Sequence, residues 1–360
     1  MFSLLKEEIR KALEELNYET PTPVQEKTIP LALEGKDCLI QARTGTGKTG
    51  AFGLPILNNL SKGEKALILV PTRELALQIR DNLRNYGKYL RKRIYAFYGG
   101  IKVFSNLKIL STQDVDVVIG TPGRIKDLIE RGALKLDNVR YFVLDEVDVM
   151  LDMNFKEDID FICSRLPERK QVFFVSATFP KEVIELSEEY TKDATFIRVQ
   201  TNRLEPKIEE KFLKVFSHEE KLDNLVEVLK ILEKVIVFVN RKKDAKILEN
   251  YLRSQNVSVK ALHGDLPQKR RESVLKSFRE GKIRVLVATD VASRGLDIRE
   301  VEAVINFHLP EDPKVYLHRI GRTGRMGTKG VAFNFVSPEE RRNYERIERF
   351  RRKKRNNKSI

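Results

Sequence analysis

Short apolar runs rich in Val, Ile and Phe recur along the chain, each separated from the next by a segment of helix length. In the first half they are DCLIQA (37–42), ALILVP (66–71), RIYAFY (93–98), DVVIGT (116–121), YFVLDE (141–146) and QVFFVSA (171–177). The second half repeats the rhythm in KVIVFVN (234–240), VSVKAL (257–262), IRVLVAT (283–289), AVINFH (303–308) and VAFNFV (331–336). Runs without polar alternation belong to strands covered on both faces, which predicts an α/β protein of parallel sheets with helices on each side. At 360 residues the chain exceeds one ordinary core. The polar, proline-bearing stretch QTNRLEPKIEE (200–210) separates the two periodic blocks. The expected division is a first domain over 1–202, a linker over 203–210, a second domain over 211–340 and a basic tail over 341–360.

Composition excludes several classes. Hydrophobic residues make up 41% and charged residues 33% of the chain, a globular balance, and no stretch approaches the ~20 apolar residues of a membrane span. The N-terminus meets charge within six residues and lacks the apolar core of a secretory signal, so the expected location is cytoplasmic. Its residues Leu5, Ile9, Ala12, Leu13 and Leu16 share one face of an amphipathic helix. Cys38 and Cys163 lie far apart, outside any C-x-x-C pattern, and the four histidines have no metal-ligand spacing. Both cysteines read as core residues.

Charge is uneven. Residues 1–200 carry 30 Lys and Arg against 29 Asp and Glu, whereas residues 201–360 carry 37 against 23. The excess in the second half suits a polyanionic partner. Residues 341–360 alone hold ten basic and two acidic residues, which fits either a solvated helix ending in a disordered, solubilising tail or a non-specific phosphate-binding tail.

Ligands of open parallel sheets sit at the carboxyl ends of the strands. Just after CLIQ comes ARTGTGKTGAF, with Gly45, Gly47, Lys48 and Thr49 at a strand-to-helix junction. Glycines there turn backbone N–H groups towards phosphate, and the helix N-terminus adds its positive pole. Lys48 is placed for the β and γ phosphates and Thr49 for Mg²⁺. Ala42 stands where the strict pattern has Gly. A second strand, YFVLD, ends in three acids, Asp145, Glu146 and Asp148. Crowded carboxylates need a cation or donors among them. A nucleotide-borne Mg²⁺ supplies it, with Asp145 oriented towards the metal and Glu146 towards an attacking water.

The ordered set of such segments resembles the DEAD-box ATP-dependent RNA helicases of superfamily 2 over essentially the whole chain. PTPVQ, ending at Gln25, is similar to the adenine-reading Q motif, and ARTGTGKT to motif I. PTREL (71–75), Gly99-Gly100 and TPGR (121–124) resemble the RNA-contacting set, DEVD (145–148) motif II and SAT (176–178) motif III. VIVFVN, HGDLPQKRRE, ATDVASRGLD (288–297) and HRIGRTGR (318–325) resemble motifs IV, IVa, V and VI.

The resemblance implies two tandem RecA-like domains that close together on ATP and single-stranded RNA. It implies local, non-processive duplex separation and RNA–protein remodelling, with the chain as a monomer. Under it Gln25 reads adenine and Tyr18 stacks on the ring. Thr44, Gly45, Thr46, Gly47, Lys48 and Thr49 hold the phosphates, and Gly295 and Asp297 hold the ribose side. Arg322 and Arg325 serve as arginine fingers beside the catalytic Lys48, Asp145 and Glu146. Asp148, Ser176, Thr178 and His318 couple the ATP and RNA states. RNA contacts fall to Pro71, Thr72, Arg73, Gly99, Gly100, Thr121, Pro122, Gly123 and Arg124 in the first domain. In the second they fall to Gly264, Gln268, Arg271, Thr289 and Arg294. No aromatic residue is interleaved with these basic positions in sequence, so the expectation is backbone recognition without base stacking. Preference for RNA rests on 2′-hydroxyl contacts that the resemblance implies. The chain departs from the family pattern at Val147, where the alanine of DEAD stands, and at Arg241 after VFVN. Phe2 is the one candidate for the aromatic upstream of the Q motif. A rival reading with the same motifs is an ATP-gated RNA clamp or annealing chaperone, and a weaker one is a DNA helicase.

Overall fold

The computed structural model describes residues 1–42, 45–168, 170–199, 208–290, 301–324 and 329–356, with backbone alone at 268 and 353–356. The chain divides into two compact units, Met1–Thr201 and Asn202–Ile360.

The first unit holds β1 (Cys38–Gln41), β2 (Lys65–Leu69), β3 (Ile94–Phe97), β4 (Val117–Gly120), β5 (Val139–Asp145), β6 (Gln171–Ser176) and β7 (Thr195–Arg198). They form one parallel sheet in the order β3-β4-β2-β5-β6-β1-β7. The second unit holds β8 (Ile208–Lys214), β9 (Val235–Phe238), β10 (Val259–Leu262), β11 (Val285–Ala288), β12 (Ala303–Asn306) and β13 (Gly330–Val336). Their order is β10-β11-β9-β12-β13-β8, again parallel.

Strand pleating sends alternate side chains to opposite faces, and both faces are covered. In β6, Phe173 and Val175 join one apolar cluster while Val172 and Phe174 join another. In β9, Val235 and Val237 face one cluster and Ile236 and Phe238 the other. Two-sided burial is what produced the unbroken apolar runs. The N-terminal helix Glu7–Glu15 buries Ile9, Ala12 and Leu13, with Ile9 and Leu13 in the first cluster, as its face predicts. Cys38 and Cys163 are both buried and unpaired. Val147 is fully buried in the second cluster, so its extra methyls are absorbed by the core.

Three features correct the sequence reading. β7 (TFIR) and β8 (IEEKFLK) are edge strands with exposed or half-exposed residues along them, so neither shows an apolar run. Residues 208–210, expected in the linker, open β8. The basic stretch forms the helix Arg341–Asn356, one of the forms expected for it, but docked on the unit rather than solvated. It docks by Ile347, which is fully buried in a cluster with Leu309, Tyr316, Ile320 and Ala332. Arg351 Nη2 adds a bond to Glu210 Oε1 of β8 at 2.9 Å. Among the described residues no helix is long and apolar enough to cross a membrane.

Candidate nucleotide and RNA sites

Sheet order sorts the predicted residues of the first unit into two neighbouring groups. The carboxyl ends of β5, β6 and β1 carry Asp145, Ser176 and the phosphate loop. The adjoining β2, β4 and β3 end at Arg73, Thr121 and the Gly99-Gly100 turn.

The loop ends at Gly47, which caps the helix Lys48–Asn59 in the left-handed region at φ 90°, ψ 20°. A Cβ there would come within 2.7 Å of Thr22 Oγ1 and 2.8 Å of Gln25 Nε2. Glycine is thus required twice, by its backbone and by its neighbours. Gln25 is the reason the space is tight: its Nε2 donates to Gly47 O at 3.2 Å, and its Oε1 accepts from Thr22 N at 3.0 Å. The Gln25 amide is buried, and this pairing uses one of its two donor hydrogens and one of its two acceptor positions. Gln25 therefore ties the helix Pro23–Leu33 to the loop as it stands. Tyr18 is partly exposed and packs edge-on against Tyr86, centroids 5.8 Å apart.

Lys48 is buried, and its Nζ has no hydrogen-bond partner among the described residues. A buried ammonium without partners is costly, so it marks a place for anionic oxygen. Lys48 also lowers the pKa of Asp145 electrostatically. Burial nevertheless pushes the Asp145 carboxyl up to about 7, with Glu146 and Asp148 adding to the rise and Lys48 and the Glu146 N–H opposing it. Two further carboxylates and one ammonium thus act on the buried Asp145, a surrounding that suits a divalent cation. No group of three His, Cys, Asp or Glu among the described residues could hold a metal by itself. Gly45 is exposed, and Thr46 and Thr49 are half-buried at the head of the loop and helix.

Glu146 leaves β5 at φ 57°, ψ 49° and caps the short helix Val147–Asp152. A non-glycine residue held left-handed costs about 1–2 kcal/mol, a strain that sits at the predicted catalytic carboxylate. Two residues further on, Asp148 is buried and hydrogen-bonded through both carboxylate oxygens. Its Oδ2 accepts from Thr178 N at 3.1 Å and Thr178 Oγ1 at 2.6 Å, Oδ1 accepts from Val149 N, and Asp148 N donates to Ser176 Oγ at 3.3 Å. The structure brings these three predicted coupling residues together.

In the RNA group, Pro71 and Thr72 are buried, and Thr72 Oγ1 caps the helix Arg73–Tyr86 by accepting from Leu75 N at 3.3 Å. Gly100 is left-handed at φ 85°, and a Cβ on it would lie 2.5 Å from Arg73 Nη1. Gly99 faces open space. Thr121 precedes the helix Pro122–Glu130, with Gly123 exposed. Arg124 donates through Nη2 to Ile101 O at 3.0 Å and pairs through Nη1 with the buried Asn106 Oδ1. Its guanidinium therefore braces the glycine turn rather than standing free.

In the second unit, Gly264 is open to solvent after β10, Arg271 and Thr289 are buried, and Gln268 begins the helix Gln268–Arg279. His263 is buried, and burial chiefly lowers its pKa. His318 is exposed in the last turn of the helix Pro313–Ile320, and Arg322 is half-buried just beyond it. Arg241 is exposed at the start of the helix Lys242–Ser254. Thr44, Arg294, Gly295, Asp297 and Arg325 lie outside the described residues, as does the side chain of Gln268.

Sequence reasoning missed Arg319, a buried and fully hydrogen-bonded side chain of this unit. Its exposure is 2%. Nε and Nη2 clasp the Asp290 carboxylate at 2.6 and 2.7 Å, Nη1 donates to Asn306 Oδ1 at 3.1 Å and His308 O at 2.7 Å, and Nη2 donates to Asn240 Oδ1 at 2.9 Å. All five N–H groups are used. Segments ending β9, β11 and β12 are thereby fastened to the helix that carries His318 and leads to Arg322. The available signal was Arg319 lying on the apolar face marked by Tyr316 and Ile320. Asn106, partner of Arg124, was missed for want of any local pattern.

A family model of DEAD/DEAH box helicases matches residues 22–186, and one of the helicase conserved C-terminal domain matches residues 220–327. The chain is 43% identical over 357 residues to the DEAD-box ATP-dependent RNA helicase CshA of Geobacillus kaustophilus, covering 97% of this chain and 76% of that protein. It is 44% identical over 341 residues to ATP-dependent RNA helicase CshA of Listeria monocytogenes, covering 93% of this chain and 65% of that one. These bacterial relatives are therefore longer than the chain. Among solved structures, Saccharomyces cerevisiae Dbp5 bound to RNA and ADP BeF3 is similar, with a TM-score of 0.84, 32% identity, and 98% of this chain and 92% of that one covered. Two parallel sheets wrapped by helices are the tandem RecA-like arrangement, and the chain belongs to the family of DEAD-box ATP-dependent RNA helicases.

Proposed function

We propose that the chain is an RNA-dependent ATPase that separates short RNA duplexes locally and remodels RNA–protein contacts. The observation that carries this reading is the pairing of groups at one sheet edge. A buried Lys48 with no hydrogen-bond partner among the described residues and a buried Asp145 stand at β1 and β5, next to the strand ends bearing Arg73, Gly100 and Thr121.

Lys48 would bind the β and γ phosphates, with the amides after Thr44, Gly45, Thr46 and Gly47 completing the cradle. Mg²⁺, brought with the nucleotide, would neutralise phosphate charge there, held by Thr49 and, through water, by Asp145. Glu146 would orient the water that attacks the terminal phosphorus and accept its proton. Arg322 and Arg325 of the second unit are assigned to the charge developing on the transferring group, and Gly295 and Asp297 to the ribose. Tyr18 would stack on adenine while the remaining donor and acceptor of Gln25 read its edge.

Asp148, Thr178 and Ser176 would carry the state of the ATP site to the RNA strand, with His318 as their counterpart in the second unit. Arg73 and the open backbone at Gly99, Gly100, Gly123 and Gly264 would follow the sugar-phosphate chain. Arg124 then acts by holding the turn in shape. Thr72 acts in the same way by holding its helix.

ATP hydrolysis is measured with no nucleic acid, with single-stranded RNA and with single-stranded DNA of the same sequence. Stimulation by RNA alone is expected; equal stimulation by both would replace the RNA reading by a general nucleic-acid remodeller. Absence of stimulation would favour a clamp.

A further inference from the structure

Phe104 stands with 72% of its surface in solvent, in the first turn of the helix Val103–Thr112. A benzyl group left that far out gains nothing from the fold around it. Its position is nevertheless held: Ile101 O and the buried Asn106 side chain, on either side of it in sequence, are both gripped by Arg124. The helix start follows directly on the Gly99-Gly100 turn, whose first glycine faces open space and whose second lies against Arg73. Lys102 and Lys108 are exposed, Lys108 one helical turn from Phe104 on the same face. No acidic residue occurs between Gly99 and Gln113. An anchored aromatic between two cations, continuous with a backbone-open turn, is the make-up of a single-strand stacking platform.

We infer that Phe104 stacks on a base of single-stranded RNA passing over the Gly99-Gly100 turn, with Lys102 and Lys108 pairing with the flanking phosphates. The contact presupposes the RNA-binding reading above and adds a base contact to a surface otherwise built for the backbone. It tolerates any sequence, because every base has a π face.

Affinity of the full chain for a short labelled single-stranded RNA is measured with a non-hydrolysable ATP analogue and Mg²⁺. Wild type, Phe104→Ala and Phe104→Trp are each compared on intact RNA and on RNAs in which one nucleotide at a time is abasic. The alanine variant is expected to bind intact RNA about 5- to 150-fold more weakly, and the tryptophan variant to retain affinity. At one abasic position wild type should fall to the level of Phe104→Ala, which should lose nothing further there. Equal binding of wild type and Phe104→Ala to intact RNA overturns the inference, as do losses from the variant and every abasic site that simply multiply. Wild type that binds no RNA overturns the RNA reading itself, and the stacking contact with it.

Discussion

The Asp148 carboxylate receives both the amide and the hydroxyl of Thr178, at 3.1 and 2.6 Å, thirty residues away in the chain. β5 and β6 are direct neighbours in register, Asp145 opposite Val175, so the segments that follow them lie side by side. Ser176 accepts the Asp148 amide in the same corner. A shift of either segment must break a buried, charge-assisted bond.

Thr178→Val keeps the shape and removes the hydroxyl. Loss of a bond to a charged group costs about 1.5–3 kcal/mol, and denaturant unfolding should show that decrease. With Asp148→Asn the two losses should fall short of additive by a measurable coupling. Additive losses would show that the pair does not act as a unit.

Lys48→Ala should separate binding from stability. The ammonium makes no hydrogen bond among the described residues, so its removal breaks none and should change the stability of the nucleotide-free protein little, the relief of a buried charge being offset by its lost attraction for Asp145. ATP affinity, followed by titration with a fluorescent nucleotide, should fall roughly 30- to 5,000-fold, the value of a lost buried charge pair. Unchanged affinity would refute the phosphate-loop assignment.

Glu146 holds a left-handed backbone that glycine adopts without strain. Glu146→Gly should raise the stability of the nucleotide-free protein by about 1 kcal/mol and abolish hydrolysis. Glu146→Gln keeps the strain and should bind ATP and RNA without turnover. Normal hydrolysis by Glu146→Gln would remove the residue from its assigned role.

Arg319→Lys should be severe, because an ammonium cannot reproduce five donors in a fixed fork. Asp290, Asn306 and Asn240 would be left short of partners, at about 3–5 kcal/mol. Hydrogen exchange should accelerate across β9, β11 and β12, and RNA-stimulated hydrolysis should fall with it. Unchanged protection of these strands would show that Arg319 does not hold them.

His263 and His308 give the second unit a pH dependence. Burial is the main cause lowering each pKa from 6.5, helped by Lys246 at His263 and Lys221 at His308, against Asp265 and Glu249, and Glu340 and Asp244, respectively. Below pH 6.5 the unfolded chain takes up protons that the folded unit resists. Their contribution is therefore fully present above about pH 6.5 and is lost as pH falls through the folded values. Stability measured from pH 7.5 to 5 should decline, and His263→Asn with His308→Asn should flatten the slope in that window.

The central strands were legible because each is buried on both faces, which leaves an unbroken apolar run. β7 and β8 were not, since one-sided packing at a sheet edge leaves a mixed sequence that also suits a linker. The helix Arg341–Asn356 is overwhelmingly charged, and its docking rests on a few apolar side chains such as Ile347. Gly47, Lys48, Asp145 and Glu146 were legible because a phosphate loop and a strand-end acid pair are contiguous in sequence.

What the sequence by itself determined is the strand rhythm, the two-unit division and the order of the motifs, because these follow from local periodicity and residue chemistry. Only the tertiary structure decided the partners: Gln25 against Gly47, Arg124 bracing Ile101 and Asn106, and Arg319 filled by Asp290, Asn306 and Asn240. It also decided that Phe104 stays outside. Hydrogen bonds and burial depend on which strands become neighbours, and in a parallel sheet that neighbourhood is set by crossovers through helices, with no mark at either residue.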